Sequence, residues 1–490
     1  MISASQLYDY SQCPHRVYLD VHGNPNERDD PNDFVRMLWE HGNVHEKAIV
    51  DGMQVLDLSA LDDFAREQET IAAIRRSEPL IYGGRLICHG LVGEPDLLER
   101  RGNGYIPGDI KSGSGLEEFD SGDKLKEHYA FQVAHYVHIL ELLGLSDGNR
   151  EAFVIDRAGQ RVPYALTEPQ GVRKTTTWWE SYQDALQHVT GLVSGAMVTR
   201  SALSSACKLC HWYGHCKQAC IRDDDLTLIA ELGRSKRDVM AGDIPTVAAL
   251  ASCNTDSYMA PNGKKTIFPG IGPDSLLKYQ ERARLLSTPG AQPYLKHPVT
   301  LPVAANEVFF DIEADPMRDI VYLHGFVERP HGQPGREVFR PCFAVGIAPA
   351  DEEAAFAEAW NYLIARVQDS VVYYYSAYEK TSYKKLAAKY PNVCDVVAVA
   401  ALFDLPAMVD LYNEIVRPHT EWPTYDKSIK TLAKYLGFNW RDTNPSGAAS
   451  IEWYQRWVET GDPAIRQRIL DYNEDDCLAT RVVLDGVGRL

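Results

Sequence analysis

The 490-residue chain has no apolar run long enough to cross a bilayer, which argues against a helical membrane span. Its opening residues, Met1-Ile2-Ser3-Ala4-Ser5-Gln6, lack the basic and apolar regions of a secretion signal, so the expectation is a cytoplasmic protein. There is no excess of basic charge. The formal net charge of −18 excludes a protein coated in basic surface, although a local basic groove or bound Mg²⁺ can still bring nucleic acid to an acidic protein. The sequence shows no internal repeat and no low-complexity tract. In a reducing compartment the ten cysteines are not expected to pair as structural disulfides, and metal binding becomes the better use for any cluster. A hydrophobic content of 45% supplies large cores, and the length fits about two to four domains.

The stretch from Gly93 to Lys111 carries the first chemistry. Gly93-Glu94-Pro95-Asp96-Leu97-Leu98 and Tyr105-Ile106-Pro107-Gly108-Asp109-Ile110-Lys111 flank a turn at Gly102-Asn103-Gly104, the pattern of a β-hairpin. Asp109 and Lys111, two apart, project from one face of a strand. Two acids and a lysine at strand ends can hold a divalent ion beside a water, a hydrolytic arrangement for phosphodiesters. The plainer alternative is a polar-tipped hairpin with a surface lysine. Lys124 to Leu143 has helical periodicity, and it sets Gln132 and Tyr136 on one face. His41-Gly42-Asn43-Val44-His45-Glu46 lies in another helical stretch.

Cys207-Lys208-Leu209-Cys210 and Cys216 form C-x2-C-x5-C, with Cys13 far upstream. Such a set suits zinc or a [4Fe–4S] cluster, and spacing does not choose between them. Cys220 is an alternative ligand, and His211 and His215 keep zinc open. Trp178 and Trp179, in the helical stretch Lys174 to Val193, are read as core residues. From 223 to 300 the chain is neutral, with nine basic and nine acidic residues. There Phe268-Pro269-Gly270-Ile271-Gly272-Pro273 opens a helix bearing Lys278, Arg282 and Arg284. Gly270 and Gly272 could offer backbone N–H groups to a phosphate, with Lys278 beside them. The alternative is a helical linker with a Gly/Pro turn. Pro289 to Pro302 reads as a connector.

A second acidic constellation follows. The apolar run Val308-Phe309-Phe310-Asp311-Ile312-Glu313 delivers two acids to one strand face. Val371 to Tyr375 reads as a buried strand running into Ser376-Ala377-Tyr378-Glu379 at a helix start, and Tyr472 and Asp476 share a face of a helix over Ala464 to Leu484. Asp475 is a rival to Asp476, while Asp410 and Asp426 are read as structural or peripheral. Ser428-Ile429-Lys430-Thr431-Leu432 begins a helix that borders the groove.

Two resemblances order these features. His45, Pro95-Asp96, Asp109-x-Lys111 and Gln132-x-x-x-Tyr136 resemble the RecB-like branch of the PD-(D/E)XK nucleases. That likeness implies metal ligation by His45, Asp96 and Asp109, activation of water by Lys111, and a DNA path bordered by Gln132 and Tyr136. One cysteine before such a core and three after it resembles the iron–sulfur nucleases, which implies a [4Fe–4S] cluster on Cys13, Cys207, Cys210 and Cys216, with zinc as the alternative. The region around Gly270 resembles a helix-hairpin-helix DNA-binding element. Asp311, Glu313, Glu379 and Asp476 with Tyr472 resemble the DEDD exonucleases of ribonuclease-H-like fold, with Glu379 where the family usually has Asp. That resemblance implies Mg²⁺ or Mn²⁺ held by the four acids, water aligned by Tyr472, and 3′→5′ exonuclease action. The order of parts resembles RecB-like nucleases with a C-terminal YprB-like domain. The expected fold is thus α/β multidomain: a restriction-endonuclease-like nuclease domain with the cysteine cluster over 1–222, a helical element over 223–300, and an RNase H-like domain over 301–490. DNA is the expected substrate ahead of RNA, in repair or defence, with a helicase as a possible partner and no membrane. The rival functions are a nucleic-acid-binding adaptor with inactive nuclease folds and an RNA-processing nuclease.

Overall fold

The computed structural model describes residues 1–31, 33–117, 124–171, 174–261, 263–443 and 446–490. It is a mixed α/β, multidomain structure of two compact units, Met1–Ala219 and Cys220–Leu490. Among the described residues no helix is long and apolar enough to cross a membrane.

The first unit is built on a six-stranded sheet. Its order is Arg161–Ala165, Glu151–Ile155, Gly104–Ile110, Leu97–Arg101, Leu80–Tyr82 and Leu56–Asp57. The expected hairpin is its centre: Leu97–Arg101 pairs antiparallel with Gly104–Ile110, and Gly102 takes the positive φ (62°) that the tight turn requires. Gly104–Ile110 is buried along its whole length, because Glu151–Ile155 covers its other edge in parallel and helices cover the sheet. The helix Glu127–Leu142 starts three residues later than its periodicity suggests, because Lys124–Leu125 pairs with Leu116–Glu117. It packs against Ala4–Gln12, whose start is fixed by a capping box between Ser3 and Gln6. Trp178 and Trp179 open the helix Trp178–Val193 and are buried in this core.

The second unit carries a five-stranded sheet in the order Val338–Phe343, Ile320–Pro330, Asn306–Asp315, Ser370–Tyr374, Met408–Asp410. The first three strands are antiparallel and the last two run parallel to Asn306–Asp315. Both faces are covered: Pro349–Arg366 and Tyr378–Lys389 close one apolar core, and the long helix Pro463–Val487 closes the other. Residues 223–300 pack into this same unit. Tyr294–Leu295 pairs with Thr420–Glu421, and the buried Glu421 receives Arg282, Lys296 and Lys427 at 2.9–3.0 Å. The Gly270-Ile271-Gly272 turn precedes the helix Pro273–Ser287, with Gly270 at positive φ and Gly272 as its N-cap.

Candidate active site

Three acids converge at the middle of the second sheet. Asp311 and Glu313 sit two apart on Asn306–Asp315, so the strand's period of two puts both on one face. Asp476 comes from Pro463–Val487, which lies across that face. Each of the three offers a carboxylate oxygen within 4.8 Å of the others, the one such cluster of three or more metal-binding groups among the described residues. Glu313 and Asp476 are buried and Asp311 is half-buried. Burial, then repulsion from Asp476 and Glu313, holds the Asp311 carboxyl well above the carboxylate range. Burial and Asp476 push Glu313 up to about 8. Burial also raises Asp476, against the pull of Lys430, Trp440 and Tyr472. A divalent cation resolves the crowding that these shifts express, so the donor set fits a hard metal with oxygen ligands.

The surroundings are built for this cluster. Asn473, fully buried one turn before Asp476, donates its amide to Asp311 Oδ2 at 2.8 Å and also bonds Glu313. Ser450 bonds Glu313 and, at 2.7 Å, Tyr322 Oη. Trp440 Nε1 donates to Asp476 Oδ1 at 2.6 Å. Lys430 Nζ donates to Tyr472 Oη at 2.8 Å, and the Tyr472 hydroxyl also bonds Asp476. Burial and these acids keep Tyr472 protonated at any ordinary pH.

Glu379 lies a little apart. It stands in the first turn of Tyr378–Lys389 and acts electrostatically on Asp311, yet it is outside the 4.8 Å group. Its Oε2 is buried without a hydrogen-bond partner, and burial pushes its carboxyl up to about 8. A buried acid with an unpartnered oxygen and electrostatic reach to Asp311 fits a further oxygen ligand for a cation at this cluster. Ser376, at φ 120°, bends the chain into that helix, and Asp410 Oδ1 pins the bend by accepting from Ser376 N. Asp410 also caps Asn413, and Asp426 accepts from Ser428 N, so both serve turns. Asp475 is bound by Arg441, which leaves Asp476 as the acid in the cluster.

In the first unit, Asp96 and Asp109 lie together. Asp96 Oδ2 accepts from Ile110 N at 2.7 Å, and Lys111 Nζ stands 2.5 Å from Asp109 Oδ2. Burial and then Asp109 raise the Asp96 carboxyl. Burial opposes the Lys111 charge, but Asp109 and Asp96 outweigh it and hold the ammonium above its usual range. Gln132 Nε2 donates to Tyr136 Oη at 3.1 Å, while Gln132 Oε1 is buried with no partner. Gly93 lets this helix approach, since a Cβ there would stand 2.9 Å from the Tyr136 ring. His45 is not drawn in with the acids: its Nε2 bonds the Asp156 carbonyl at 3.2 Å. Its neighbour Glu46, in the same quoted stretch, accepts from Tyr82 Oη and acts electrostatically on Asp96.

Cys13, Cys207, Cys210 and Cys216 line one small cavity with Arg16, Trp212 and Tyr213. Burial pushes Cys216 up to about 12. Cys220 points elsewhere, near Thr227 Oγ1. His211 and His215 are engaged by Asp20 and Glu27, each at 2.7 Å. In the second unit, Lys278 pairs with Glu231 at 2.9 Å, and Arg282 is buried between Glu231 and Glu421. These cations of the Gly-Ile-Gly helix serve internal ion pairs.

A mixed sheet with antiparallel and parallel halves, carrying a carboxylate cluster at its central strand, is the architecture of RNase H-like domains. The sequence comparison agrees: residues 308–487 match the family model of the RNase_H superfamily. The C-terminal part is therefore an RNase H-like domain, which points to nuclease-type chemistry, and nucleases of this fold generally use Mg²⁺ or Mn²⁺. No curated protein matches the chain.

Proposed function

We propose that this protein is a metal-dependent nuclease that hydrolyses phosphodiester bonds of DNA at the RNase H-like site, as a DEDD-type 3′→5′ exonuclease. The observation that carries the reading is the Asp311, Glu313 and Asp476 cluster, with Glu379 beside it. Asp311, Glu313, Asp476 and Glu379 would hold Mg²⁺ or Mn²⁺. When bound, such ions lower the pKa of water and stabilise the charge that develops on the phosphoryl oxygens. The protein's own residues set the geometry. Asn473 spaces the two strand acids, Trp440 fixes Asp476, and Tyr472 stays a neutral O–H donor facing the same acids.

A second, RecB-like nuclease site is proposed at Asp96, Asp109 and Lys111, bordered by Gln132 and Tyr136. The close Asp109–Lys111 pair and the unpartnered Gln132 Oε1 support it. Here Glu46 is better placed than His45 to complete the acid set, because His45 is turned to a backbone carbonyl. The four cysteines would hold a [4Fe–4S] cluster as a staple. They line one cavity, which supports a shared cluster. The nearby histidines are taken by acids.

The test follows end-labelled single- and double-stranded DNA with Mg²⁺ or Mn²⁺ and anaerobically purified protein. It compares wild type, Asp109→Ala, Asp311→Ala and the double variant. Loss of a different part of the product ladder in each single variant, with an inert double variant, supports both sites. Matched RNA oligonucleotides separate the substrates. A wild type that binds DNA and cuts nothing refutes the reading in favour of an adaptor.

A further inference from the structure

We propose that Lys430 is a catalytic residue of the RNase H-like site, whose ammonium donates a hydrogen bond to a non-bridging oxygen of the scissile phosphate. The inference rests on the nuclease reading of that site. Lys430 is the second residue of the helix Ile429–Tyr435, after the Ser428 N-cap, and it is half-buried. Its Nζ lies 4.9 Å from the Tyr472 ring centre and 5.9 Å from that of Trp440, and it donates to Tyr472 Oη. Tyr472 and Trp440 both hydrogen-bond the Asp476 carboxylate. The same residues that fix the acid therefore fix the cation. Lys430 also acts electrostatically on Asp311, Glu313 and Asp476 alike.

The charge count gives the cation a purpose. Asp311, Glu313, Glu379 and Asp476 bring four negative charges, which two divalent ions would cancel. The phosphodiester adds a further negative charge, and its oxygens gain more as the bond to the attacking water forms. A preorganised donor at that place stabilises the transition state without any reorganisation. An ammonium carries three N–H donors, so the bond to Tyr472 does not by itself exclude one to phosphate. A lysine placed merely to offset the acids would become redundant once metal arrives, because it competes with the metal for the same carboxylates.

That contrast sets the experiment. Lys430→Met, Lys430→Arg, Tyr472→Phe and the Lys430→Met/Tyr472→Phe double variant are compared with wild type. The readouts are Mn²⁺ binding to the free protein and turnover of single-stranded DNA at saturating Mn²⁺. Removing a unit positive charge near the ion should tighten Mn²⁺ binding by roughly tenfold. Turnover should fall by about 10² or more, the usual loss for one such donor. Lys430→Arg keeps the charge and should recover most of the turnover. Lys430→Met should still lower the rate in the Tyr472→Phe background. If wild type cuts while Lys430→Met cuts within about threefold of it at saturating metal, the lysine is only a counter-charge and the inference alone fails. No further loss in the Tyr472→Phe background reduces Lys430 to a holder of Tyr472 and also overturns it. A wild type that cuts nothing overturns the nuclease reading and this inference together.

Discussion

Gly325 is the position where a single methyl group should disable the RNase H-like site without touching an acid. It lies directly across the ladder from Asp311, so the two residues share a sheet face. A Cβ built there would overlap Asn473 Oδ1, stand 2.7 Å from Asn473 Cγ and 3.0 Å from the Phe339 ring. The strand cannot retreat easily, because its other edge pairs with Val338–Phe343 and Cys477 Sγ donates to the Gly325 carbonyl. Gly325→Ala must therefore move Asn473 and with it the amide that bonds Asp311 and Glu313. Overpacking costs about 1–3 kcal/mol. Losing the hydrogen bonds to these two buried carboxyls costs about 0.5–1.5 kcal/mol each. A total near 4 kcal/mol lowers the melting temperature of a unit this size by about 10 °C. Mn²⁺ affinity should fall about 10–100-fold, as when the partners of metal ligands are removed elsewhere. The decisive assay is a double-mutant cycle with Asn473→Ala, read by denaturant unfolding. Once Asn473 is gone, the methyl group has space, so the double variant should be less destabilised than the sum of the singles by about 2 kcal/mol. Additive losses, or a Gly325→Ala protein with wild-type Mn²⁺ affinity, would refute the reasoning.

Other perturbations test other parts of the molecule. His135 is fully buried between Tyr182 Oη and the Ile2 carbonyl, and burial pushes it down to about 4. The folded state then binds fewer protons than the unfolded one between about pH 4 and 6.5, so stability should fall by about 3 kcal/mol as pH drops through that window, and His135→Gln should flatten the slope in pH-dependent melting. Glu421→Gln leaves Arg282, Lys296 and Lys427 crowded without their buried anion, and should cost about 3–5 kcal/mol in denaturant unfolding, partly restored by adding Lys427→Met. Asp311→Asn should abolish Mn²⁺ binding at the second unit while raising the melting temperature of the metal-free protein at alkaline pH, where the crowded acids would otherwise ionise and repel one another. If the proposed [4Fe–4S] cluster is bound at this cavity, Cys207→Ser should lower iron and acid-labile sulfide together in anaerobically purified protein; retention of full metal content would remove Cys207 from the proposed ligand set.

The parts of this protein that were legible in its sequence are those written as periodicities. The Gly93–Lys111 hairpin, the helix bearing Gln132 and Tyr136, the strand of Asp311 and Glu313 and the helix of Tyr472 and Asp476 all declare themselves by a period of two or 3.6. Side-chain periods also carry the paired acids, since i, i+2 on a strand and i, i+4 on a helix fix a common face. What stayed hidden depends on which atom of a side chain faces which neighbour. His45 and Glu46 are adjacent in one helix; the fold sets the His45 ring on the Asp156 carbonyl and leaves Glu46 within electrostatic reach of Asp96. Lys278 sits where a phosphate-binding helix would want a cation, but Glu231, 47 residues upstream, takes it. Trp440 gave no signal at all, because an indole donor to Asp476 has no local signature.

Gly325 and Asn473 mark the boundary between these two cases. A glycine inside an otherwise β-branched and aromatic strand is a readable sign of close approach, but it does not say what approaches. Asn473 lies between two residues of the Tyr472-x-x-x-Asp476 pattern and reads there as a spacer. Only the pairing of Gly325 with Asp311 joins the two, because it puts the missing side chain opposite the acid that Asn473 must reach. The catalytic pattern and the packing pattern are thus one constraint seen from two strands. A sequence carrying Asp311, Glu313 and Asp476 but a larger residue at 325 would keep the acids and lose the hydrogen-bonded geometry that holds them together.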